Sequence, residues 1–315
     1  MKIYIGKTDG NWYDYLRDHS CTEANFWKPG GGSFKALEKG DLFLFMHKAD
    51  RGSKIAGGGF FEEYRIMSID WAWRAFETEN GTDNLVQLAE SIFQYRKYPS
   101  DDVFSASIGC IILSDVFFFD DSDWFDPPQA DWRYIVTGKT YDTDDFATSN
   151  DAKWLFSQVQ MRLQGKVLVS QSESSDTALS NKSGYTLAMA KRRTGQGVFR
   201  IHVADAYKRR CAITGERTFP VLQAAHIMSF SNDGPNTVNN GILLRSDIHT
   251  LFDAGYLTVT DDLRVDVSLR LHDDWQNGKE YYALHGNRLA VVPDLPELRP
   301  AREYLDWHHE HVFLG

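Results

Sequence analysis

Cysteine is scarce in this chain: three residues in 315, Cys21, Cys110 and Cys211, widely separated. Three scattered thiols build neither a disulfide framework nor a four-cysteine zinc site, so a reduced, cytoplasmic protein is expected. Long apolar runs are missing as well, and none approaches the roughly 20 residues that span a bilayer. The opening MKIYIGKTDGNWYDYL turns polar after five residues, unlike a secretory signal. The glycine-rich stretches GGGSF (30–34) and AGGGFF (56–61) lack the GK[ST] ending of a phosphate loop and read as turns or close approaches.

Basic charge is short overall, with a net charge of −10. That balance argues against a nucleic-acid binder until it is divided along the chain. From Gly184 onward, 15 Lys and Arg stand against 16 Asp and Glu, so nearly all the excess acid lies earlier. Within 191–217 there are eight basic residues and two acidic ones. Local charge, not the total, decides phosphate binding, and Arg200, Lys208, Arg209 and, further on, Arg245 are candidate phosphate contacts.

The length favours two domains. The segment 167–184, VLVSQSESSDTALSNKSG, is Ser-rich and aperiodic and reads as a linker between domains at 1–166 and 185–315. The first is expected to be strand-rich, with KIYIG, DLFLFMHK, IAGGGFFEEYRI and SIGCIILSDVFFF as strands. WAWRAFETEN, TDNLVQLAESIFQYRK and DAKWLFSQVQMRLQ read as its helices. In the second, GVFRIHVADAYKRRC shows an apolar helical face, VLQAAHIMSF and GILLR read as strands, and SNDGPNTVNN between them is turn-forming loop. Ser246 or Asp247 is placed to cap a helix over DIHTLFDAG that Gly255 ends. The later runs YLTVTDDLRVDVSLRL and YYALHGNRLAVV suggest more strands, and PAREYLDWHHEHVF a last helix with partly exposed histidines.

The residues 224–253 carry the chemistry. His226 ends a strand, Asn240 closes the loop, and His249 and Asp253 lie four apart on a helix, hence on one face. An imidazole and a carboxylate so placed share one divalent ion if phosphate and water complete the shell. His226, across the cleft, is then free to take a proton from water, since its ordinary pKa near 6.5 leaves it mostly neutral at cytoplasmic pH. Asn240 either orients a ligand or pins the loop to the His226 backbone. One metal and one base suit phosphodiester hydrolysis, in which a leaving oxygen develops charge.

The succession CAITG, LQAAHI and NNGILLRSDIHTLFDAG resembles the HNH endonucleases built on a ββα-metal finger. The resemblance, from RTGQGVFR to WHHEHVF, implies His226 as general base, Asn240 as the middle residue of the catalytic set and His249 as its metal ligand. Asp253 stands where nuclease-type colicins carry a second metal-binding histidine. Two positions depart from the family: Ala225 stands where many members place a metal-holding Asp or His, and Cys211 alone remains of the paired cysteines of a structural zinc. Mg²⁺, with Mn²⁺ able to substitute, is the implied cofactor, and no structural zinc is expected.

The aromatic-rich first domain, with NFWKPGGGSF, KGDLFLF, AGGGFF and GKTYD, more loosely resembles modified-base readers of the PUA superfamily, including EVE-type domains. That implies an α+β protein with a PUA-like β-barrel before the nuclease finger. Trp27, Trp132 and Tyr141 are the candidate stacking cage, with Asn25, Ser33 and Asp131 as polar readers of a flipped base. The whole reads as a modification-dependent restriction endonuclease acting on double-stranded DNA, with a modified cytosine the expected mark. Homodimers or sequential nicks would give a double-strand break. The alternatives are a nicking or defence nuclease with an RNA- or partner-sensing first domain, and a non-catalytic modified-DNA binder.

Overall fold

The computed structural model describes residues 1–96, 103–128, 132, 134–167 and 195–315. The chain divides into two units, Met1–Arg192 and Arg193–Gly315. The expected linker lies outside the described residues except for Val167, the last residue of a helix.

The first unit is built on six strands: β1 (Lys2–Thr8), β2 (Glu23–Lys28), β3 (Leu42–His47), β4 (Ile55–Ser68), β5 (Ser107–Phe118) and β6 (Gly138–Asp142). Its helices are α1 (Gly10–Asp18), α2 (Ile69–Phe76), α3 (Leu85–Phe93) and α4 (Ser149–Val167). The four strands and three helices read from the sequence are all present. The sheet order is β2-β5-β4-β3-β1-β6, with β1 and β3 parallel and the other pairs antiparallel. Among the described residues it is an open sheet with β2 and β6 at its edges, and the expected closed barrel is not formed.

At its centre that sheet is buried on both faces. Strand β3, LFLFMH, is buried at every position, as a run without alternation requires. Leu42, Leu44 and Met46 join Ile3, Ile5 and Tyr141 in a core closed by Leu155, Phe156 and Val159 of α4. Phe43 and Phe45 point the other way, into a core with Trp12, Tyr13 and Leu16 of α1.

The second unit holds α5 (Gln196–Ala206), β7 (Leu222–His226), β8 (Gly241–Arg245), α6 (Ser246–Asp253), β9 (Leu257–Val259), β10 (Val265–Val267), α7 (Arg270–Trp275), α8 (Lys279–Tyr282) and α9 (Arg302–His311). Strands β7 and β8 pair antiparallel with His226 opposite Gly241. Gly241 is required by packing: a Cβ there would overlap Val203 and crowd the Phe199 ring, both on α5. Gly255, at φ +77°, ends α6 as expected, since a left-handed residue after a helix favours glycine.

Three local expectations change. The α6 helix has Arg245 at its N-cap and no side-chain cap, because Asp247 clasps Arg245 instead. The run YYALHGNRLAVV contributes the short helix α8 and one isolated bridge, Arg264 to Arg288, where strand was expected. His308 on α9 is buried at 2% exposure. It stacks on Phe252, donates from Nε2 to the Phe252 carbonyl (3.2 Å), and its Nδ1 lies 2.8 Å from the Thr258 hydroxyl. The terminal helix therefore docks through this histidine, behind α6.

Candidate active site

Hairpin and helix bring the polar residues of 224–253 together. The base candidate, His226, ends β7 and is half-buried, its ring stacked on Phe199 of α5 at 3.9 Å and 10°. Its Nε2 lies 2.7 Å from Asn236 Oδ1. A carbonyl oxygen only accepts, so Nε2 carries the proton and Nδ1 is left with its lone pair. Burial is the main influence on this ring and lowers its pKa below 6.5; the Asn236 bond opposes that, while Arg200 and His249 add to it and Asp253 opposes it. The ring is thus neutral at pH 7, as a base must be.

Asn240 is fully buried. Its Oδ1 accepts from the Met228 N–H (2.9 Å), and its Nδ2 donates to the carbonyls of Met228 (3.0 Å) and Pro235 (2.9 Å). Its own carbonyl accepts from the Ile227 N–H at 2.9 Å. Every polar group of the side chain is engaged with the loop, so of its two expected roles the geometry supports pinning the chain after His226. Asn240 holds the chain after His226 in place through that loop, and Asn236, within the same loop, holds the His226 ring itself.

On α6, His249 Nε2 lies 3.2 Å from Asp253 Oδ2, and His249 Nδ1 lies 2.8 Å from Gln223 Oε1. By the same reasoning Nδ1 carries the proton. The bare Nε2 and the carboxylate oxygen then face each other as two acceptors, an arrangement that asks for a cation between them. Among the described residues no three His, Cys, Asp or Glu side chains gather as a metal site. The protein offers two donors, and Ala225, fully buried, offers none. This set fits a divalent ion that takes its remaining ligands from phosphate and water.

The HNH endonuclease family model HNH_2 matches residues 211–260. Residues 211–260 form an HNH endonuclease domain. The chain is, by that domain, a DNA-hydrolysing enzyme. Comparison with curated proteins gives no match. Among solved structures the chain aligns with one described as "Modification dependent TagI restriction endonuclease", at 13% identity and a TM-score of 0.32, over 98% of this chain and 78% of that one. A TM-score of that size assigns nothing to the chain.

The basic residues expected at phosphates differ in their surroundings. Arg200 lies close enough to His226 to depress its pKa. Lys208 and Arg209 are exposed but follow α5 in left-handed conformations, φ +54° and +53°, instead of continuing the helix. They pair with Asp294 (2.8 Å) and Asp205 (3.7 Å). Arg245 is held by Asp247 through two bonds of 2.6 and 2.7 Å, with the Tyr281 hydroxyl donating to the same carboxylate at 3.2 Å.

The residues expected to cage a base do not share one place. Tyr141 is fully buried in the core that α4 closes, and Trp132 packs against that same core. Trp27 belongs to the opposite core. Its Nε1 donates to the Asn80 carbonyl at 3.2 Å. Asn25, fully buried, donates to Asn80 Oδ1 at 2.9 Å. Ser33 is exposed, and its carbonyl accepts from Lys28 Nζ at 3.2 Å. Asp131 lies outside the described residues. The structure does not bring this set together: Tyr141 and Trp132 pack with the core that α4 closes, whereas Trp27 packs with the core on α1. Three residues the sequence reading passed over matter at the HNH site: Gln223, Asn236 and Phe199. Asn236 stood in a loop rich in Asn and Asp, and nothing in the sequence set it apart.

Proposed function

We propose that the chain is a modification-dependent restriction endonuclease that cuts double-stranded DNA with one divalent metal ion per HNH domain. The observation that carries the catalytic half is the pair of facing acceptors, His249 Nε2 and Asp253 Oδ2, within electrostatic reach of a neutral His226. A divalent ion, Mg²⁺ or Mn²⁺ in its place, supplies positive charge there against the scissile phosphate and the leaving oxygen. His226 Nδ1 accepts a proton from the attacking water, and its Nε2 stays bonded to Asn236. Arg200 adds positive charge beside the base for the substrate phosphates. No side chain attacks phosphorus, so no covalent intermediate forms. One HNH domain cuts one strand, so a double-strand break takes two copies, as a homodimer or in sequential nicks.

The first unit is proposed to read a modified base, a modified cytosine first among them. Trp27 remains the candidate stacking surface: it is only partly buried, and its ring lies 6.2 Å from that of Tyr95, which is 49% exposed. Stacking on aromatic rings contributes about 1–3 kcal/mol per base, enough to offset unstacking from the duplex. No helix among the described residues is long and apolar enough to cross a membrane, in keeping with a DNA substrate in the cytoplasm.

The test uses two plasmids of one sequence, unmodified and carrying 5-methyl- or 5-hydroxymethylcytosine, incubated with Mg²⁺ and wild-type protein, His226→Ala or Trp27→Ala. The expected result is cutting of the modified plasmid alone, abolished in His226→Ala and reduced about tenfold or more in Trp27→Ala, a loss in keeping with one stacked base. Equal cutting of both plasmids keeps the nuclease and removes the reader.

A further inference from the structure

Gln223 is the exposed residue three positions before the base on β7, and it faces α6 across 26 residues of chain. It alternates with the general base and shares a strand face with Ala225, which carries no donor atom. Its Oε1 is 2.8 Å from His249 Nδ1. We propose that Gln223 is a positioning residue of the metal centre, fixing both the plane and the tautomer of the His249 imidazole. The inference rests on the proposed role of His249 and Asp253 as cation donors.

The argument is one of allowed protonation states. A neutral imidazole carries one proton and has two sites for it. If the proton sat on Nε2, that N–H would donate to Asp253 Oδ2, 3.2 Å away. The ligand pair would then satisfy itself, and a metal ion would have to displace the proton before binding. Gln223, which presents its amide oxygen to Nδ1 and not its NH2, sets that choice. An amide oxygen cannot donate, so the bond at Nδ1 exists only when Nδ1 is protonated, which leaves the Nε2 lone pair directed with Asp253 at one cation position. Ligating histidines are commonly oriented through their second nitrogen in this way. Here the bond matters more because the protein contributes two donors and β7 supplies none at Ala225. Gln223 lies on the surface, with no place in a buried core, so replacing it leaves the fold intact.

The experiment measures binding of Mn²⁺ alone, by calorimetry and by the loss of free-Mn²⁺ EPR signal, to the full chain in the absence of DNA. Wild type is compared with Gln223→Ala, Gln223→Met, Gln223→Glu and His249→Ala. Removing an outer partner of a metal-binding histidine weakens affinity by about 10–100-fold, and that loss is expected for Gln223→Ala. The same loss is expected for Gln223→Met, which keeps the length of the side chain and not the acceptor. Gln223→Glu, whose carboxylate accepts from the same N–H, should bind Mn²⁺ at least as tightly as wild type. Gln223→Ala or Gln223→Met binding within twofold of wild type, while His249→Ala loses the site, overturns the proposal and leaves the metal centre standing. Unchanged binding in His249→Ala overturns both.

Discussion

Replacing His226 by Ala lowers the rate of DNA cleavage by about 10²–10⁴-fold, the usual contribution of a positioned general base, while DNA binding stays within a few-fold of wild type. The proposed base is separate from the proposed cation donors on α6, so Mn²⁺ binding is expected to be retained in the same variant. The pH profile tests the role more closely. Burial keeps the His226 pKa below 6.5, and the active form is the neutral one. Activity therefore climbs as pH rises through the folded pKa. The acid limb falls on the low side of 6.5. Replacing Asn236 by Ala takes away a bond that raises this pKa, and the limb moves to still lower pH. A limb centred above 6.5, or a cleavage rate unchanged in His226→Ala, assigns the proton transfer to another group.

The candidate site was legible in the sequence because its parts are local. Strand, loop, strand and helix follow one another within 32 residues, Leu222–Asp253, and His249 and Asp253 are brought together by helix periodicity alone. The long-range contacts escaped. Gln223 reaches His249 from 26 residues away and His308 reaches Thr258 from 50; no spacing rule marks either pair. The first unit shows a different limit. A strand buried on one face announces its orientation by alternation, but β3 is apolar on both. Its sequence LFLFMH therefore does not say which residues face which core. Aromatic content pointed to a pocket, yet Tyr141 and Trp27 were parted by the sheet to which both belong, with Tyr141 on β6 at one edge and Trp27 on β2 at the other. That separation is a property of strand order, which connects segments more than 100 residues apart.

The second large effect concerns how α6 is held. His308 is the buried residue behind that helix, and burial drives its pKa down to about 4, with the Phe252 carbonyl and Asp253 opposing only in part. Its Nε2–H donates to the Phe252 carbonyl and its Nδ1 accepts from Thr258, so the packed ring is the neutral form. In the unfolded chain the same ring titrates near 6.5. The folded pKa is the lower one, so the unfolded state takes up the proton first as pH falls. The stabilisation is whole above about pH 6.5 and is lost progressively as pH drops through about 4. A separation of about 2.5 pH units corresponds to about 3 kcal/mol, a large share of the stability of an ordinary domain. Urea unfolding of the full chain at pH 7 and at pH 4.5 measures it, with His308→Gln as the reference that cannot titrate. Wild type should lose about 2 kcal/mol more than the variant between those two pH values. An equal loss in both proteins would mean that the acid sensitivity of this unit comes from elsewhere. Since Phe252 precedes Asp253, the proposed cation donor, protonation of His308 is expected to loosen that end of α6 as well. The acid limb of cleavage in His308→Gln should then be less steep than in wild type, leaving the titration of His226 alone.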